Sequence, residues 1–164
     1  MPRNFAIGTI LARNGYTRGV QNVEIPIVLA EGASMPEYAT PGAAGMDLRS
    51  IEPVLLEPGK RTLVRTGVRL AIPPGFEAQV RPRSGLALRL GVGMVNSPGT
   101  IDSDYRGEIG VVMINWGSEV VQLEQGERVA QLVVCPVVRA TLHRVEQLGA
   151  TDRGEGGFGS TGTQ

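Results

Sequence analysis

The sequence predicts an all-β domain, a sandwich or barrel of short strands, and three observations carry that prediction. Aliphatic and β-branched residues recur in short alternating runs, and turn signals separate them, the chain holding 23 Gly and 11 Pro. Helical periodicity is confined to one brief segment. Aromatic residues make up only 4% of the chain, so the core must be aliphatic. A length of 164 residues accommodates one such domain with short extensions.

The elements follow in order. Residues 1–22 contain Arg3, Arg13 and Arg18 and no acid before Glu24. Their apolar run is brief and broken by glycine, which suits neither a secretory signal nor an organellar leader, so a loosely ordered N-terminal extension is expected. The β domain is expected over residues 23–148. Residues 23–29 read as an edge strand, because Pro26 has no N–H for a ladder. Residues 53–56 lead into the turn Glu57-Pro58-Gly59-Lys60. Residues 61–72 read as one long strand ending at Pro73-Pro74-Gly75, and residues 76–80 alternate cleanly. Residues 84–90 form the candidate helix, with Ser84 as N-cap and Gly91 as stop. Residues 96–107 read as a hairpin-like element turning at Pro98-Gly99. Residues 109–114 and 120–123 flank the turn Asn115-Trp116-Gly117-Ser118. The last strand, residues 128–138, is nearly unbroken apolar sequence from Gln131, which predicts burial on both faces and a covering partner such as another subunit. Residues 149–164 hold six Gly and one aromatic, Phe158, and are expected to form a flexible arm that orders only on binding.

Composition removes several function classes. Sixteen basic residues balance sixteen acidic ones, which argues against nucleic acid or an anionic membrane as partner. One Cys and one His exclude disulfide frameworks and thiolate or His-rich metal sites. No apolar run approaches the roughly 18 residues of a membrane helix, and a cytoplasmic location is expected. Cys135 lies in an apolar run and is expected in the core, while His143 is not expected to be catalytic. Lys60 is the only lysine. The Arg bias offers planar donor forks for carboxylate or phosphate, although base composition of the gene explains it equally well.

Five clusters gather Gly, Arg, Asp and hydroxyl residues: Pro41-Gly42-Ala43-Ala44-Gly45-Met46-Asp47-Leu48, then Arg81-Pro82-Arg83-Ser84-Gly85-Leu86, then residues 96–107, then Gly126-Glu127-Arg128-Val129-Ala130-Gln131, then residues 153–162. Arg83-Ser84-Gly85 at a helix start reads either as an anion site, with N–H groups, a hydroxyl and a guanidinium, or as an ordinary cap with a surface Arg. Residues 153–162 resemble a phosphate loop but lack the Gly-Lys-Ser/Thr ending, so a Walker NTPase is rejected. What remains is either a disordered tail or a flap in which Arg153 pairs with phosphate and Phe158 stacks on a base. Asp102 reads as an Asx-turn residue or as a carboxylate that orients water, and Tyr105 can wall a sugar.

Taken together and in order, the five clusters resemble the five motifs of the trimeric dUTPase family, over residues 23–162. That resemblance implies a jelly-roll-like (β-clip) subunit, a homotrimer with active sites shared between subunits, and hydrolysis of dUTP to dUMP and pyrophosphate with Mg²⁺. Such an activity keeps uracil out of DNA and supplies dUMP for dTMP synthesis. By position, Asp102 would orient the attacking water and contact the 3′-hydroxyl, and Tyr105 would lie under the deoxyribose and exclude a ribose. Asn96, the backbone at Thr100 and Ile101, and Gly110 would read uracil. Arg83, Ser84, Gly85 and Gln131 would hold phosphates. Arg153 would grip the γ-phosphate and Phe158 would cover uracil, both from another subunit's arm. Asp47 would reach, through water, a Mg²⁺ held mainly by the triphosphate.

Two other readings share the fold. A dCTP deaminase needs a glutamate on the strand after Tyr105-Arg106-Gly107, where this chain aligns Val112, and Glu108 falls too early. A non-catalytic nucleotide-sensing trimer would have no need of Asp102.

Overall fold

The computed structural model describes residues 22–157, and its elements are twelve strands and one short helix. The expectations for residues 1–21 and 158–164, the role of Phe158 included, lie outside the described residues. The largest sheet has five antiparallel strands in the order β2 (Glu37–Tyr38), β3 (Met46–Arg49), β12 (Arg128–Pro136), β7 (Phe76–Arg81) and β9 (Gly99–Ile101). A second has three, β5 (Arg61–Arg65), β10 (Gly110–Asn115) and β8 (Val92–Met94). Two antiparallel pairs complete the fold, β1 (Ile27–Leu29) with β6 (Val68–Leu70) and β11 (Val121–Leu123) with β4 (Val54–Leu56). The helix α1 spans Ser84–Leu90 between β7 and β8. This is the jelly-roll β fold with a single short helix.

Alternation explains the core. Leu48, Ala78, Val80 and Leu132 point inward from the five-stranded sheet, and Val64, Val92, Met94, Val111 and Met113 come from the three-stranded one. All belong to one aliphatic cluster, as the scarcity of aromatics requires. Their neighbours along each strand, such as Asp47, Gln79 and Gln131, therefore face the other way.

Several expectations are corrected. Residues 61–72 are two strands, because the chain leaves the β5–β10 ladder at Thr66-Gly67 and joins β1 as β6. Gly67 takes φ 68°, which only glycine adopts freely, and the buried Thr66 hydroxyl donates to the Ile109 carbonyl at 2.5 Å. Residues 96–107 are not one hairpin, since β8 pairs with β10 while β9 pairs with β7, so the Asn96–Pro98 stretch links two sheets. The helix is capped by Arg83, not Ser84: Arg83 is extended, and its carbonyl accepts from the Leu86 and Ala87 N–H groups. Gly91, at φ 62°, ends the helix as expected. Strand β12 is fully buried on its inner face only; Val133, Val134 and Cys135 are half-buried and Val138 is exposed. Cys135 thus sits on the outward face and not in the core, with Arg81 Nη2 at 3.9 Å from its Sγ. Residues 41–48, read only as a motif, contain β3.

Candidate functional site

Strands β3, β12 and β7 lie side by side, and their register sets Asp47 opposite Gln131 and Gln131 opposite Arg81. All three side chains leave the sheet on its outward face, because Leu48, Leu132 and Val80 fill the inner one. The second and fourth motifs converge here on the first. Arg128 Nη1 donates to Asp47 Oδ2 at 3.2 Å, and Arg83 Nε lies 3.4 Å from Oδ1. Arg83 Nη1 also donates to the Arg128 carbonyl at 3.2 Å, and Arg49 Nη1 donates to the Gly126 carbonyl at 2.7 Å. A cavity of about 390 Å³ opens beside this group, walled by Arg49, Arg83, Arg89, Arg128 and Glu127.

The electrostatics of this corner are those of an anion site. Burial pushes the Arg83 guanidinium below the usual arginine value; Asp47 opposes that shift, while Arg128, Arg49 and Arg89 reinforce it. Arg83 remains charged at any physiological pH, so its crowding among cations is an unfavourable energy that an incoming anion relieves. Glu127 is the one acid among these walls, and its carboxylate accepts from the Glu124 N–H at 3.0 Å.

Ser84 and Gly85 open α1 directly beside Arg83, and Ser84 is exposed. A methyl group added at Gly85 would meet only the Arg89 guanidinium, at 3.4 to 3.7 Å, an ordinary contact. No described neighbour therefore demands glycine at that position.

A second group forms elsewhere. β9 ends the order of the five-stranded sheet, so its outer backbone edge has no strand partner among the described residues. Thr100 is exposed on it, while the Ile101 side chain packs against the core and leaves only its backbone for recognition. Asn96 is exposed and packs beside Gly99. Asp102 follows immediately, exposed, and its carbonyl accepts from the Tyr105 N–H at 3.2 Å. The Tyr105 ring lies over Gly107, where a Cβ would collide with it, and its hydroxyl donates to the Glu108 carbonyl at 2.9 Å. Gly110 opens β10 beneath the Leu63 side chain.

The two groups do not meet within one chain. Ile101 pairs with Ala78, which sets Asp102 beside the Glu77 end of β7, whereas Arg83 and Ser84 lie beyond Arg81 at the other end. At about 3.3 Å per residue, the run from Glu77 to Arg81 alone spans roughly 13 Å. Arg153 joins neither group: its Nε donates to the Gly156 carbonyl at 2.7 Å within its own turn.

The donor set also bears on a metal. Among the described residues no three His, Cys, Asp or Glu side chains cluster. Asp47 Oδ1 is buried yet accepts no hydrogen bond, so it has capacity for a water, and the flanking guanidiniums disfavour direct ligation of a cation. These residues fit a divalent ion carried in by a polyanionic ligand.

The deaminase reading loses its remaining candidate. Glu108 accepts from Arg65 Nη2 and from the Gly67 N–H, both at 2.9 Å, and Val112 stands opposite Leu63 in the β5–β10 ladder. Arg128 and Arg49 were not singled out from the sequence. Their signal is present in it: Arg128 lies inside the fourth cluster and Arg49 directly follows the first, in a chain that uses Arg almost exclusively as its cation.

Comparison with known proteins identifies the family. The dUTPase family profile matches residues 31–162. A deoxyuridine 5'-triphosphate nucleotidohydrolase of Anaeromyxobacter sp. (strain Fw109-5) is 66% identical over 128 residues, covering 78% of this chain and 87% of that protein. One from Roseobacter denitrificans is 54% identical over 147 residues, covering 85% and 97%. Among solved structures, the dUTPase of Staphylococcus bacteriophage 80alpha with dUpNHpp superposes with a TM-score of 0.79 at 29% identity, over 86% of this chain and 99% of that one. A variant of the dUTPase from phage phi11 of S. aureus, described as coordinating a structural Mg(II) ion, superposes at 0.70 with 27% identity, over 76% and 98%.

Proposed function

Since the chain belongs to the dUTPase family and hydrolyses dUTP to dUMP, we propose that it does so at composite sites, each joining the Asp47–Arg83–Arg128 corner of one subunit to the Asp102–Tyr105 loop of another in a homotrimer. The observation that carries this reading is the separation along β7. The water-orienting carboxylate and the phosphate-holding residues sit at opposite ends of one strand, roughly 13 Å of backbone apart.

Arg83, Ser84, Gly85 and Gln131 hold the phosphates, with Arg128 keeping Asp47 in place. Backbone groups on the open edge of β9, with Asn96, read the uracil edge, and the Tyr105 ring supports the deoxyribose. Asp102 orients the attacking water and takes up its proton as pyrophosphate leaves. Hydrolysis of this kind needs an extended triphosphate, neutralised charge and a positioned water, and no covalent nucleophile. Mg²⁺, bound by the triphosphate, supplies additional neutralisation of its charge. Asp47 Oδ1, buried and without a hydrogen-bond partner, would accept from the ion's water shell. Arg153 and Phe158 belong to an arm over residues 149–164 that closes on a neighbouring subunit's site, Arg153 toward the γ-phosphate and Phe158 over uracil, excluding bulk water once substrate is present.

Two surface features support assembly. Val138, Leu142 and Leu148 are exposed along a segment that carries no helix or strand. An open groove of about 670 Å³, lined by Ile25, Tyr38, Met46, Phe76 and Val134, is an apolar receptor for such a segment from a second copy. Among the described residues no helix is long and apolar enough to cross a membrane. The proposed setting is the cytoplasm, with a free nucleotide as substrate.

The test is pyrophosphate release from dUTP, UTP, dTTP and dCTP, beside binding of a non-hydrolysable dUTP analogue. Turnover confined to dUTP is expected. Tight analogue binding without turnover, or comparable turnover of UTP, contradicts the reading.

A further inference from the structure

The loop that bears Asp102 and Tyr105 follows β9 at one end and is tied to the β5–β6 break at the other. The β5–β6 break presents three consecutive residues to it. Arg65 Nη2 and the Gly67 N–H each donate to one oxygen of the Glu108 carboxylate, at 2.9 Å in both cases. Between them, the buried Thr66 hydroxyl donates to the Ile109 carbonyl at 2.5 Å, and the Ile109 N–H donates to the Val68 carbonyl at 2.8 Å. Ile109 itself is fully buried. The connection then runs outward. The Glu108 carbonyl accepts the Tyr105 hydroxyl at 2.9 Å, and the Tyr105 N–H donates to the Asp102 carbonyl at 3.2 Å. Arg106 Nη1 closes the loop on itself through the Ser103 and Tyr105 carbonyls.

The contacts of Arg65, Thr66, Gly67 and Val68 join the loop to the strands, and those of Tyr105 and Arg106 run within it. Glu108 is the only link whose side chain grips the strand while its backbone grips the ring. Its carboxyl is held below the usual carboxylate range, first by the Arg65 hydrogen bond, so it is ionised wherever the enzyme works. The Ile109 N–H belongs to the same peptide as the Glu108 carbonyl, so that peptide is held on one side by buried Ile109 and on the other by the Glu108 side chain.

We propose that Glu108, clamped by Arg65 and the Gly67 N–H, is a positioning residue that sets the Tyr105 ring and thereby the enzyme's preference for deoxyribose over ribose. The inference rests on Tyr105 being the sugar support. The phenol is held by the Glu108 carbonyl rather than by a side chain, so the ring's height follows the backbone at Glu108. Letting that backbone drift opens the space in which a 2′-hydroxyl is otherwise rejected.

The experiment measures kcat/KM for dUTP and for UTP and takes their ratio, which does not depend on how much of a preparation is folded. Glu108→Ala is expected to lower the ratio about tenfold or more, as small misplacements of a substrate-contacting group do. Glu108→Gln, which keeps an acceptor for the Gly67 N–H, is expected to fall between Ala and the parent. Should Glu108→Ala not fold, the ratios of Glu108→Gln and Arg65→Met decide. Tyr105→Ala is the reference and is expected to collapse the ratio. If Tyr105→Ala collapses it while the Glu108 and Arg65 variants keep the parent ratio and merely melt earlier, Glu108 is structural only and the inference fails alone. If Tyr105→Ala also keeps the parent ratio, the sugar-support reading fails and takes the inference with it.

Discussion

Asp47 sits between two guanidiniums, one hydrogen-bonded to Oδ2 and the other beside an Oδ1 that accepts nothing. Such an arrangement sets positive charge beside an unused acceptor, which suits a metal-bearing polyphosphate. Gly85 lies next to Arg83 in the first turn of α1. Its missing Cβ would touch only Arg89, and alanine is the better helix former by up to about 1 kcal/mol. Gly85→Ala is therefore expected to leave thermal stability unchanged or higher while dUTP turnover falls by about two orders of magnitude. A variant that keeps full activity removes Gly85 from the phosphate site. Glu108 provides a pH signature. Its carboxyl is depressed by the Arg65 hydrogen bond and by the Gly67 N–H, so its contribution to stability is complete above the unfolded carboxylate value, about 4.3. That contribution is lost as pH falls through the lower folded value. Melting curves at pH 7 and pH 4 should show a steeper acid loss in the parent than in Glu108→Gln, and parallel curves would contradict the ion pair.

Among the elements, the β10–β11 turn is held by one side chain. Asn115 is fully buried; its amide donates to the Leu56 and Glu119 carbonyls, and its Oδ1 accepts from the Gly117 N–H. Asn115→Ala leaves those groups unpaired and should cost about 2 to 3 kcal/mol in denaturant unfolding at matched concentration. A loss well under 1 kcal/mol would mean water replaces the amide. The long alternating strands and their Gly/Pro turns were legible because period two is written in consecutive residues, as in residues 76–80. What escaped were β2, β3, β8 and β9, which are two to four residues long, three of them holding Gly or Asp, and whose strand state comes from neighbours distant in sequence. The break at Gly67 escaped because β-branched residues flank it on both sides. Past β12 no helix or strand follows among the described residues. Deleting residues 150–164 is accordingly expected to preserve the melting profile and abolish turnover; full activity in the truncated chain would remove the arm from catalysis.

At the scale of the whole molecule, the direction of β7 decides what one chain can do. The phosphate corner stands at its Arg81 end and the Asp102 loop at its Glu77 end. The residues of both were legible in the sequence, since Arg83-Ser84-Gly85 and the Asp102–Gly107 segment stand out from any core pattern. Their separation was not, because it follows from the β7–β9 register, which no local pattern encodes. The same holds for Arg128 and Arg49, which become site residues only once β3 and β12 pair. The net charge of zero agrees with this outcome, because a single triphosphate needs a few placed arginines and not a basic surface. The most direct test of a site shared between subunits mixes two inactive chains, Arg83→Ala and Asp102→Asn, by joint refolding. Hybrid assemblies then contain sites in which an intact phosphate corner meets an intact Asp102 loop, and dUTP turnover should reappear, rising with the fraction of mixed assemblies. Mixed assemblies that form yet stay as inactive as either parent would show that each site is built within one chain.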